Sequence, residues 1–154
     1  MSDIEQRLAE LDITLPPVVA PRGNFALYVR VGKTIYLSGK GSPLRMPGDP
    51  VLKVGAEISV PEAQQHARDV AIHLLAIMKD ALGGFENLDR MVKVFGMVNA
   101  IPAFTEHTEV INGASDLFVQ VLGDRGIHAR SAIGVGSLPR GFAVEIEAVI
   151  RSKT

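Results

Sequence analysis

The segment Val144-Glu145-Ile146-Glu147-Ala148-Val149-Ile150 sets two faces of a strand against each other. Successive strand residues point to opposite sides of a sheet. Val144, Ile146, Ala148 and Ile150 therefore share one apolar face, while Glu145 and Glu147 share the other with Ala143 and Val149. Such a strand needs a sheet with one packed face and one face that carries carboxylates among apolar neighbours. Just upstream, His128-Ala129-Arg130-Ser131-Ala132 opens a strand with an arginine, and Ser137-Leu138-Pro139-Arg140-Gly141 supplies a turn. A guanidinium near a carboxylate on a sheet face is what a small anionic substrate requires.

The rest of the chain supplies the packed face. Ala63, Ala67, Val70, Ala71, Leu74, Leu75, Met78 and Leu82 form a stripe of helical period. Ser59-Val60-Pro61-Glu62 starts that helix and Gly83-Gly84 ends it. A second helix is predicted from Phe104 to Leu122, with Phe104, Ile111, Phe118 and Val121 on one side. Strands are predicted at Phe25 to Val31 and Thr34 to Ser38, joined by Gly32-Lys33. Another runs from Leu88 to Val98, with Val92, Val94 and Val98 on one side, and Gly39 to Gly55 reads as a long loop.

Ser2 and Glu5 predict a capped N-terminal helix carrying Ile4, Leu8 and Leu11, ended by Pro16-Pro17. The order of hairpin, helix, strand, helix and strand pair predicts an α+β fold: a mixed sheet with two long helices on one face. At 154 residues the chain is expected to hold a single domain, residues 20–154, preceded by a helical extension, residues 1–19. Two helices cover only one face of a five- or six-stranded sheet. The other face is too apolar for water, which predicts an oligomer with sites at subunit boundaries.

Several function classes are disfavoured. No cysteine is present, so thiolate catalysis and disulfides are excluded. A net charge of −1 gives no global attraction to nucleic acid. The N-terminal residues lack a signal-peptide core and no apolar run reaches about 18 residues, so a cytoplasmic protein without membrane contact is expected. His66 and His73 lie two helical turns apart, about 10 Å, too far to chelate one ion, and no metal or cofactor is expected. Neither a phosphate-loop motif nor a G-x-S-x-G context occurs.

Val31-Gly32 with Leu37-Ser38-Gly39, Ala67-Arg68, Asn112, Ala129-Arg130-Ser131, Leu138-Pro139 and Val144-Glu145-Ile146-Glu147-Ala148 carry a resemblance. The chain resembles the Rid (reactive intermediate deaminase, YjgF-like) family, in its longer chorismate-mutase-like subgroup with the endoribonuclease L-PSP label. The resemblance spans about Ala20 to Arg151. It implies a chorismate-mutase-like fold and a homotrimer around an inner β-barrel, with three clefts between subunits. It also implies hydrolysis of small 2-imino or 2-enamino acids to 2-keto acids and ammonia. By that resemblance Arg130 binds the substrate carboxylate and Glu145 positions or activates water. Asn112 lies near the cleft and Gly39 lines it. Phe25 stands in place of a family tyrosine, and Ala132 in place of a common cysteine whose carbonyl would hold the nitrogen. Lys40 replaces a glutamine.

Each residue also has a plainer reading. Arg130 could pair with Glu145, Glu147 or Asp124, Glu147 could serve subunit pairing, Phe25 could be core, and Lys40 could be solvated. Two other functions compete with the deaminase. One is a non-catalytic sensor of 2-keto acids or related metabolites that uses the same cleft. The other is an endoribonuclease, disfavoured by 5% aromatic residues and the lack of a basic stripe. The expected partner is a small carboxylate-bearing metabolite, with no nucleic acid.

Overall fold

In a computed structural model, which describes residues 2–42 and 46–154, both long stripes form helices against one face of a five-stranded sheet. Helix α1 (Asp3–Glu10) begins with a reciprocal capping box between Ser2 and Glu5. It buries Ile4 and Leu8 in the core. It ends well before Pro16, because Leu11 caps it and Asp12 turns left-handed at φ 53°. Strands β1 (Tyr28–Val31) and β2 (Thr34–Ser42) form the hairpin, with Gly32 at φ 59° in its turn. Phe25 lies before β1 rather than in it.

β2 runs four residues beyond the predicted end. A bulge between Leu37 and Lys40 absorbs the Ser38-Gly39 break in pattern, and pairing resumes through Ser42. The expected loop from Gly39 therefore starts later, and its residues 43–45 lie outside the described ones. Helix α2 (Val60–Leu82) has the Ser59–Glu62 capping box, Pro61 in its first turn and a left-handed Gly83 at its end. Strand β3 (Leu88–Asn99) follows. Helix α3 (His107–Leu122) ends where predicted but begins three residues later than Phe104. Pro102 and a turn from Phe104 back to the Ile101 carbonyl keep the preceding residues out of the helix.

Strands β4 (Ala129–Val135) and β5 (Val144–Ser152) close the chain but are not neighbours. The strand order is β1-β2-β5-β3-β4. β4 runs parallel to β3 at the sheet edge, as a strand–helix–strand crossover requires, while β5 inserts antiparallel between β2 and β3. The predicted strand pair is thus split by β3. The turn before β5 places Arg140 and Gly141 in the left-handed region, and the Gly141 carbonyl accepts from the Leu52 amide.

Val144, Ile146, Ala148 and Ile150 of β5 are buried under α2 and α3 with Val94 and Val98 of β3. Val92 is exposed instead. A bulge between Met91 and Lys93 shifts the alternation and gives its buried place to Met91. The opposite face carries Val29, Val31, Tyr36 and Ile133, each between 43% and 64% exposed, with Phe95, Met97 and Val149 half-buried. The expected apolar open face is therefore present.

Candidate functional site

Register decides where each candidate side chain points. Met97 of β3 lies opposite Glu145, and Phe95 lies opposite Glu147, so both glutamates stand on the open face. On β4, Arg130 sits beside buried Val94, and Ala132 sits beside Gly96, whose missing Cβ would meet Ile111 of α3. Arg130 and Ala132 therefore belong to the helix-covered face. Arg130 and Glu145 are on opposite sides of the sheet, with β3 between their strands and a three-residue offset along it, from Val94 to Met97, which puts their backbones about 14 Å apart in the sheet. The guanidinium and the carboxylate do not share a face within one chain, contrary to the expectation from the sequence. Among the described residues of one chain, no ion pair joins Arg130 to Glu145, Glu147 or Asp124.

The candidates gather instead into two half-sites. The first is built where the β4 edge meets α3. Arg130 Nη1 donates to Asn112 Oδ1 at 2.8 Å and to Ser115 Oγ at 3.1 Å. Asn112 and Ser115 are three apart on α3 and so face the same strand. Both Nη1 hydrogens are thereby used, and the Nε–Nη2 edge has no partner among the described residues. That edge is a planar two-donor fork, suited to a carboxylate. Ala132 follows on the same face.

The second half-site lies across the sheet around the β2 bulge. A Cβ at Gly39 would stand 3.3 Å from Glu145 Cγ and Cδ, so a side chain there would push the Glu145 carboxylate aside by a few tenths of an ångström. Ser38 Oγ donates to the Ala26 carbonyl at 2.6 Å, and its amide donates to Leu27. These bonds lay the 25–27 segment beside Gly39. Phe25 is 59% exposed, so it is not core. Lys40 does not join this group. It pairs opposite Ile146 on the helix side, where burial pulls its pKa down. Partial desolvation of the His73 ring on α2 lowers that pKa, and the Lys40 charge lowers it further.

Burial raises the pKa of Glu145, and the charge of Glu147 raises it further. A carboxyl held more weakly acidic in the folded chain than in the unfolded one destabilises the fold once ionised. Its contribution is favourable below the unfolded value and is lost as pH rises through the folded value. Glu145→Gln should therefore melt at a higher temperature than the wild type at pH 7. Thermal scans should show that gap closing as pH is lowered towards 4, and a gap that widens with acid would contradict this account.

Two residues absent from the expected site emerge here. Ser115 Oγ lies 2.9 Å from His128 Nε2, and His128 Nδ1 lies 2.6 Å from the Gly126 carbonyl. The signal for them was the i, i+2 spacing of His128 and Arg130 and the i, i+3 spacing of Asn112 and Ser115. No group of three His, Cys, Asp or Glu side chains among the described residues could hold a metal. No helix among them is long and apolar enough to cross a membrane. Two surface clefts, lined by α1, the segment after it and the end of α2, touch neither half-site.

Known proteins place this architecture. Residues 5–141 match the family model described as "YjgF/chorismate mutase-like, putative endoribonuclease". The protein TCP17 of Trypanosoma cruzi is 39% identical over 148 residues, covering 96% of this chain and 92% of that protein. The crystal structure of Atu1372 from Agrobacterium tumefaciens, described as of unknown function, is 38% identical. It superposes with a TM-score of 0.86 over 98% of this chain and 92% of its own. RidA from an Antarctic Psychrobacter is 28% identical, with a TM-score of 0.57 over 86% of this chain and 91% of its own. With its sheet, its helical layer and this match over nearly its whole length, the chain belongs to the YjgF/Rid family of chorismate-mutase-like fold.

Proposed function

We propose that the protein is a Rid-type deaminase that hydrolyses small 2-imino or 2-enamino acids to 2-keto acids and ammonia. The observation that carries this reading is Arg130: a guanidinium ordered by two neutral acceptors, with no carboxylate partner and no bond to its Nε–Nη2 edge among the described residues. A substrate carboxylate completes it. Glu145 and Gly39 supply the other half across the sheet, so the complete site takes Arg130 from one subunit and Glu145 from the next. The apolar open face gives the subunits a reason to pack, and three copies around an inner barrel are the assembly proposed.

In that cleft Glu145, a stronger base than an ordinary carboxylate, takes a proton from water as its oxygen bonds to the imine carbon. The carbon–nitrogen π bond breaks and the nitrogen gains that proton, giving a carbinolamine. Glu145 then takes the hydroxyl proton and passes it to the nitrogen, so that the carbon–oxygen double bond forms as the carbon–nitrogen bond breaks and ammonia leaves the 2-keto acid. The Ala132 carbonyl accepts from the substrate nitrogen, and Phe25 supplies an apolar wall. The reaction uses no cofactor and the proposed setting is the cytoplasm.

Phe25 and Ala132 favour a second reading, a sensor that binds 2-keto acids without turnover. The discriminating assay generates 2-iminopropanoate in situ and follows its loss. Acceleration above the uncatalysed rate is expected, with a particle of three chains in sedimentation. Pyruvate binding without any acceleration would replace the deaminase by the sensor. RNA cleavage that tracks Arg130 would instead bring forward the endoribonuclease.

A further inference from the structure

Arg130 is held by a chain of hydrogen bonds that extends beyond the residues so far given a role. The Gly126 carbonyl can only accept, so His128 Nδ1 carries the hydrogen across their 2.6 Å separation. In the neutral ring Nε2 is then an acceptor, and the Ser115 hydroxyl donates to it at 2.9 Å. With its hydrogen committed there, Ser115 Oγ offers a lone pair to Arg130 Nη1 at 3.1 Å. Every donor along this line has one acceptor, and the direction is set at Gly126. Phe118 of α3 meets the imidazole edge-on, with ring centres 6.0 Å apart and planes at 87°, which fixes the ring's tilt.

Burial favours the neutral imidazole, as does the nearby Arg130 charge, against the opposing pull of the Gly126 carbonyl. Protonation would reverse the Ser115 bond and leave two cations sharing one hydroxyl. The neutral ring is therefore the state consistent with this geometry.

We infer that His128, acting through Ser115, is a positioning residue that turns the Nε–Nη2 edge of Arg130 toward the substrate carboxylate. This rests on the carboxylate role proposed for Arg130. Asn112 alone leaves Nη1 free to pivot about a single bond. Ser115 supplies the second contact, and His128 keeps the hydroxyl's lone pair, rather than its hydrogen, facing the guanidinium.

The test measures pyruvate binding by calorimetry on the full-length protein. Ser115→Ala and His128→Phe, the latter keeping an aromatic ring against Phe118, should each weaken binding about tenfold, the loss of one hydrogen bond to a charged group. Ser115→Thr, which restores a hydroxyl, should bind nearly as the wild type does. The double variant Ser115→Ala/His128→Phe should be no weaker than Ser115→Ala, because the two residues act in series. Wild-type affinity in Ser115→Ala, or losses that multiply in the double variant, overturns the relay while the carboxylate role stands if Arg130→Ala abolishes binding. Pyruvate binding that is absent from the wild type, or untouched by Arg130→Ala, overturns both. Should His128→Phe fail to fold, the contrast of Ser115→Ala with Ser115→Thr decides alone.

Discussion

Arg130→Ala is expected to lower kcat/KM for 2-iminopropanoate hydrolysis by about 100- to 1,000-fold, with the fold and the oligomer unchanged. In the proposed carboxylate role, the Nε–Nη2 edge would make two charge-assisted bonds to the substrate, together about 3–4 kcal/mol. Loss of an anchor that also orients the imine carbon falls on both KM and kcat. Stability changes little because Arg130 is half-exposed and makes no ion pair among the described residues. Its removal leaves Asn112 Oδ1 and Ser115 Oγ at a partly wet edge, a cost within about 1 kcal/mol. Arg130→Lys keeps the charge but replaces the planar fork by a point, and should recover only part of the rate. Turnover of Arg130→Ala at the wild-type rate would remove Arg130 from the site.

What the sequence disclosed and what it hid follow one physical division. Helical stripes such as Val70, Leu74 and Met78 are local, and their buried faces could be read directly. The capping boxes at Ser2 and Ser59 were equally legible, since all their atoms lie within four residues. The parity of a strand relative to its neighbours is not local. Arg130 and Glu145 looked like partners because each alternates correctly in its own strand. Only the insertion of β5 between β2 and β3, and the register of β4 on β3, puts them on opposite faces. Two bulges compounded this, one exposing Val92 and one sending Lys40 to the helix side. The link from His128 through Ser115 to Arg130 joins a β4 flank to the middle of α3, and no short-range pattern reports such a contact.

The separation of the half-sites also clarifies why the open face matters. A single chain exposes Tyr36, Val29 and Val31 beside Glu145 and Glu147, and it carries Arg130 at the far edge strand. In the proposed assembly one event covers the apolar surface and brings an Arg130 edge to a neighbour's Glu145. Stability and catalysis would then depend on the same contact, so dilution below the assembly threshold should remove both together.

The second large effect concerns the helical layer that holds Asn112 and Ser115. Gly113 lies between them on α3, where α3 crosses α2. A methyl group built on Gly113 would overlap the Gln64 carbonyl oxygen and stand 3.1 Å from Gln64 Cα. These are backbone atoms of α2, so no rotamer change relieves the overlap and the helices must separate. Gln64 also donates its side-chain amide to the Glu109 carbonyl at 2.8 Å, a bond that separation stretches. Alanine in place of glycine favours a helix by about 1 kcal/mol, whereas overpacking a rigid contact costs about 1–3 kcal/mol and at times more. Because the clash is with backbone, the upper part of that range applies, and Gly113→Ala should be less stable by about 2 kcal/mol. For a domain of this size that lowers Tm by about 4–8 °C. Gly136→Ala, where nothing lies within 4 Å of the added atom, is the neutral control. A shift of α3 also moves Asn112 and Ser115 relative to β4, so pyruvate affinity in folded Gly113→Ala should fall although residue 113 touches no ligand. An unchanged or higher Tm would mean that α2 and α3 do not approach through Gly113. An unchanged affinity beside a lowered Tm would mean that Arg130 is ordered without the exact seating of α3.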